Sequence, residues 1–161
     1  MKRTAVVLTC VLLAIAGPAE ANRKSRGKPI PPPRVWLLLN SAGLTAALRY
    51  GYGHASDPGR TILTCEDSGV IKVEQFVSGK GDSTLVVDSA GERESAAAEV
   101  QADTAEGTAA TGISATFAID RPVIQAFRRT GALRLSIGAL TRKPPPAPQD
   151  QVTRFMEHCA P

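Results

Sequence analysis

The densest concentration of chemically capable side chains is the stretch from Tyr50 to Arg60, YGYGHASDPGR. Tyr52 can stack on a ligand, and His54 can titrate near neutral pH or ligate a metal. Asp57 supplies a carboxylate, and Arg60 supplies a guanidinium fork suited to a carboxylate or phosphate. The stretch is too glycine-rich for regular structure and reads as a loop. Loops held on a rigid sheet are where binding residues concentrate. The same residues also fit a plain strand connection in which Asp57-Pro58-Gly59 turns the chain and Tyr50 packs on the core. Ser56 and Asp57 beside His54 do not amount to a triad, since a triad needs convergence in space and an oxyanion site. No G-x-S-x-G elbow is present. Gly79-Lys80-Gly81-Asp82 lacks phosphate-loop spacing and precedes a strand pattern, so it reads as a hairpin turn.

These residues leave three functional readings. The leading one is a non-enzymatic binding or accessory protein, with Tyr52, His54, Asp57 and Arg60 as the candidate ligand or partner loop. The second is a hydrolase or metal-dependent enzyme using the His54 loop. The third is an inhibitor of an envelope hydrolase that presents Gly51 to Arg60 as a protrusion. Glu66, Asp67, Glu92 and Glu94 sit in or beside predicted turns and read as solvated. No catalytic residue, metal centre or cofactor is assigned.

The compartment follows from the first residues. Met1-Lys2-Arg3-Thr4 is a cationic head, Ala5 to Gly17 is uncharged and mostly apolar, and Ala19-Glu20-Ala21 is a small-x-small cleavage pattern. Residues 1–21 therefore read as a signal peptide cleaved after Ala21, which sends the chain to the periplasm or outside the cell. Of the three cysteines, Cys10 lies in that segment, leaving Cys65 and Cys159. Two cysteines in an oxidising compartment pair most simply as one disulfide.

Residues 22–34, NRKSRGKPIPPPR, form a basic, proline-rich linker or tail. Its Arg23, Lys24, Arg26 and Lys28 fit a solvated spacer, or a weak tether to an anionic surface worth about 1 kcal/mol per basic residue. The whole chain of 161 residues carries a net charge of +4, yet residues 35–161 hold 12 basic against 14 acidic side chains, a net of −2. The basic excess belongs to the leader and tail, which argues against a nucleic-acid-binding domain.

Residues 35–161 must supply the scaffold, and they read as one β-rich domain. Val35 to Leu39 and Leu44 to Tyr50, joined by Asn40-Ser41-Ala42-Gly43, predict a hairpin. Further strands are predicted at Thr61–Cys65, Val70–Val77, Thr84–Asp88 and Thr111–Ile119, with Leu133, Leu135 and Ile137 alternating in the last. Glu94 to Asp103 has alanine-rich helix propensity, but its alternation and the spacing of its neighbours favour a strand. Asp120-Arg121-Pro122 and Gly131 bound one short helix, and Asp150 caps a second that carries Val152, Phe155 and Cys159 on one face. The pattern predicts a mainly β protein, a β-sandwich or open barrel of about eight short strands with two short helices near the C-terminus.

The signal segment, the strand with Trp36, Tyr50-Gly51 before a charged loop, Leu63-Thr64-Cys65 and the terminal Val152-Thr153-Arg154-Phe155…Cys159 resemble small exported proteins of proteobacteria. In architecture the chain resembles the exported β-sandwich proteins typified by invasion-associated locus B and by type VI secretion accessory proteins. That resemblance implies an envelope location and an envelope protein or component as partner. It assigns a role to no particular residue.

Overall fold

Alternating apolar residues pair into antiparallel strands here because each strand has one face to bury. The computed structural model describes residues 32–40, 45–53, 60–67, 69–78, 82–102 and 110–160. The predicted signal peptide and nearly all of the tail lie outside that set, as do His54, Asp57 and Gly79 to Gly81. Among the described residues ten strands and two helices form: β1 (Arg34–Leu39), β2 (Ala47–Tyr52), β3 (Thr61–Asp67), β4 (Val70–Ser78), β5 (Thr84–Ser89), β6 (Glu92–Ala97), β7 (Glu99–Ala102), β8 (Ala110–Ala118), α1 (Pro122–Thr130), β9 (Arg134–Ile137), β10 (Leu140–Arg142) and α2 (Gln149–Cys159). They make a six-stranded sheet, β1-β2-β3-β4-β8-β7, and a four-stranded sheet, β10-β9-β5-β6, all antiparallel. The chain is mainly β with two helices near its C-terminus, as the strand spacing predicts.

The excess over eight strands has two sources. Glu94 to Asp103 is not one element. Residues through Ala97 pair with β5, whereas Glu99 onward pairs with β8 in the other sheet. The change of sheet occurs at Ala98, whose N–H donates to the Ser83 carbonyl at 2.8 Å. Ala96 and Ala98 pack against the core, whereas Val100 lies on the sheet edge and stays 47% exposed. The second source is β10, a three-residue strand that folds back on β9 and is too short to register as a periodic pattern. Strand β2 also runs through Gly51 and Tyr52, so Tyr52 is a strand residue rather than part of the loop.

Helix α1 starts within the expected Asp120-Arg121-Pro122, with Arg121 at the N-cap and Pro122 in the first turn, whereas the start of α2 differs from expectation, with Pro148 rather than Asp150 at the N-cap; neither has a side-chain cap. Asp150 instead lies in the first turn of α2, where its charge suits the helix dipole. Helix α1 ends at Gly131, whose φ of +64° is left-handed, so the expected stop is in place.

The core draws on both sheets and both helices. Helix α2 packs on β1, β2 and β3, α1 packs on β5 and β6, and the two helices pack on each other. Ile124, Phe127, Val152 and Phe155 are fully buried. Burying each such side chain contributes about 1.5–3 kcal/mol. Cys65 and Cys159 are disulfide-bonded with their Cα atoms 5.4 Å apart, tying the end of α2 to β3. The Gly69 N–H reinforces that junction by donating to the Cys159 carbonyl at 2.8 Å.

Candidate functional site

The inward face of the six-stranded sheet is graded from end to end, and the gradient is written in its cross-strand register. At one end lie Cys65, Ile71 and Phe117 in consecutive strands. The next row is Leu38, Leu48, Leu63, Val73 and Ala115. Then follow Trp36, Tyr50, Thr61, Gln75 and Ile113, and beyond them Arg34 beside Tyr52. The rows pass from apolar to polar to cationic over a few residues. Four residues of β3 separate Cys65 from Thr61, about 13 Å at strand rise. The disulfide and the polar rows therefore occupy opposite ends of the sheet.

The polar rows are closely fixed. Gln75 is 1% exposed, an uncharged but polar side chain where the alternation of β4 would place an aliphatic one. Its cost is offset by two hydrogen bonds. The Thr61 hydroxyl donates to Gln75 Oε1 at 2.8 Å, and Gln75 Nε2 donates to the Phe76 carbonyl at 3.0 Å. Tyr50 meets Trp36 with ring centroids 5.3 Å apart in a tilted arrangement. Arg34 lies over the Tyr52 ring, 4.8 Å from its centroid, and donates from Nη2 to the Tyr52 hydroxyl at 3.1 Å. Its Nε is buried with no hydrogen-bond partner among the described residues.

A strap closes this end. After β10 the chain runs through Lys143 and the prolines to α2. Trp36 Nε1–H donates to the Pro145 carbonyl at 2.7 Å, and the Ala147 N–H donates to the Gly131 carbonyl at 2.9 Å. The strap is thus held to β1 on one side and to the end of α1 on the other. Proline fixes its course with little entropy left to lose.

Between the strap and the polar rows lies a cleft of about 240 Å³. Arg34, Arg60, Arg142 and Lys143 line it together with Tyr50, Thr61, Gln75 and Thr141, and no carboxylate lies among its described lining residues. The ion pairs formed among the described residues, Lys72 with Glu66 and Arg121 with Glu94, lie elsewhere and use none of these cations. Glu66 is exposed as expected, whereas Glu94 is partly buried against Arg121 rather than simply solvated. The local charge is notable against a folded unit that, with Arg34, holds 13 basic and 14 acidic side chains, a net of −1.

Of the predicted loop residues, Arg60 lines the cleft and Tyr52 supports Arg34 from below. His54 and Asp57 lie outside the described residues. Sequence reasoning missed Arg34, which it assigned to the tail, and also Gln75, Arg142 and Lys143. Gln75 carried a signal, since it is the polar interruption in the inward series Ile71, Val73, Val77. Arg142 and Lys143 carried none, because their approach to Arg34 depends on the path of the strap.

Among the described residues no three His, Cys, Asp or Glu side chains are grouped as a metal site, and no helix is long and apolar enough to cross a membrane. Comparison with family models, with curated proteins and with solved structures gives no match to this chain.

Proposed function

We propose that the chain is an exported, non-enzymatic binding or accessory protein of the bacterial envelope. It engages an envelope protein or other envelope component through the polar end of its sandwich. The observation that carries this reading is the cleft, in which four cationic side chains from three separate segments converge with no carboxylate among the described lining residues. Like charges drawn together in a folded protein repel, and a site that tolerates this is suited to an anionic partner. The signal-peptide pattern and the two remaining cysteines support export. The resemblance to exported β-sandwich proteins supports the same compartment.

The test expresses the full chain in a Gram-negative host, fractionates the cells and captures partners from envelope extracts. Wild type is compared with Arg60→Gln/Arg142→Gln. The expected result is a mature chain beginning at Asn22, recovered from the periplasm or medium, with a partner that the double variant loses. Cytoplasmic, uncleaved protein would overturn the reading. So would a small-molecule turnover abolished by His54→Ala.

A further inference from the structure

We infer that the cleft is a phosphate site: it takes the phosphate group of a small ester or headgroup, held by Arg34, Arg60, Arg142 and Lys143. This rests on the reading of that end of the sandwich as the binding end, and names the group bound there. Three arguments select phosphate. The first is charge. Four cations line the cleft, with no carboxylate among its described lining residues. A carboxylate ligand would bring one negative charge, whereas a phosphate monoester brings nearly two, with three strong acceptor oxygens.

The second argument is donor chemistry. Three of the four cations are guanidinium groups, which match phosphate through paired N–H donors. The Nε of Arg34 is buried without a partner, which is costly for a charged donor. A bound oxyanion would supply the missing acceptor. The contacts of Arg34 with Tyr52 leave that atom unused while holding the side chain in place. Thr141 adds a hydroxyl that can meet a remaining oxygen or an ester substituent, whereas the Thr61 hydroxyl proton is already given to Gln75.

The third is size. At about 240 Å³ the cleft is smaller than the ~300–1,000 Å³ typical of sites for larger organic ligands. It suits a compact head rather than an extended molecule. The rest of a larger phosphate-bearing component would lie outside.

The experiment titrates the full mature chain with sodium phosphate at constant ionic strength, sodium chloride being the reference. Binding is followed by ¹H–¹⁵N NMR of arginine Nε–Hε groups and by fluorescence of Trp36, the sole tryptophan, which sits beside Tyr50. The expected result is a saturable shift of the Arg34 and Arg60 side-chain signals that chloride does not reproduce. Arg60→Gln and Arg142→Gln should each weaken it about 10-fold, the scale of losing one charge-assisted hydrogen bond.

A parallel arm uses phosphatidylcholine vesicles with and without phosphatidic acid. Binding to free phosphate alone assigns a soluble ester, and binding to the vesicles assigns a lipid headgroup; either supports the site. A response that chloride matches, or one unchanged in both variants, overturns it. If phosphate fails while capture from envelope extracts still depends on Arg60 and Arg142, the phosphate assignment falls and the binding end stands.

Discussion

Removing the Cys65–Cys159 bond should lower stability by an amount that can be worked out in advance. The bond joins residues 94 apart in sequence. In the chain-entropy treatment, closing a loop of that length removes enough denatured-state freedom to contribute about 4.7 kcal/mol at 25 °C. The folded unit spans Pro32 to Pro161. At about 2.1 cal/mol/K per residue, its unfolding entropy is about 270 cal/mol/K, so the melting temperature should fall by about 17 °C. The perturbation is Cys65→Ala/Cys159→Ala, chosen because both positions are buried and alanine adds no polar atom there. Helix α2 keeps its other attachments: Val152, Phe155 and Met156 stay buried, and the Gly69 N–H still meets the last turn. The variant should therefore fold at 25 °C and melt early. The assay is thermal unfolding by circular dichroism, with non-reducing mass spectrometry to verify the bond in wild type. A fall below about 5 °C would refute the entropic reasoning, and labelling of free thiols in native wild type would refute the bond itself.

Three further outcomes follow from local geometry. Gly131→Ala should cost about 2–4 kcal/mol by denaturant titration, because the left-handed backbone costs about 1–2 and the new methyl displaces the Ala147 carbonyl of the strap. An unchanged midpoint would show that the strap does not dock there. Ala90 has φ of 49° ahead of Gly91 at 93° in the two-residue β5–β6 turn, so Ala90→Asn should stabilise by about 0.5–1 kcal/mol; a loss would refute that turn assignment. Burial raises the pKa of Glu74 above the ordinary 4.5, with the Lys72 charge pulling it partway back. The folded state then binds that proton more tightly, so the linked stability is fully present below the unfolded pKa and is lost as pH rises through the raised value. Glu74→Gln should accordingly raise the melting temperature more near pH 7 than near pH 4. Equal shifts at both would refute the argument.

What the sequence revealed and what it hid divide along physical lines. The strands β4 and β8 were legible because each buries one face, so their side chains alternate, and β1 because it is a dense apolar run ended by a turn cluster. The cysteine pairing followed from a count and a compartment. The break at Ala98 was hidden because a run of small residues reads alike on either sheet, and only the choice of partner strand separates β6 from β7. Arg34 was hidden behind the prolines before it: its charge matched the tail, while its backbone begins β1 opposite Tyr52. Arg142 and Lys143 reach the cleft because Trp36 and Gly131 fix the strap, and neither contact leaves a periodic trace. The candidate loop was found from its own composition. The cleft at its C-terminal end is assembled from five segments of the chain.

Binding is proposed for the polar end of the molecule and not for the disulfide end. Site-specific photo-crosslinking in living cells tests it most directly, with a benzophenone amino acid placed at Arg142 or Lys143 of the strap, or at Glu66 or Glu157 near the disulfide. The expected result is adducts with an envelope component from the strap positions, reduced by Arg60→Gln, and none from Glu66 or Glu157. Adducts confined to Glu66 and Glu157 would contradict it.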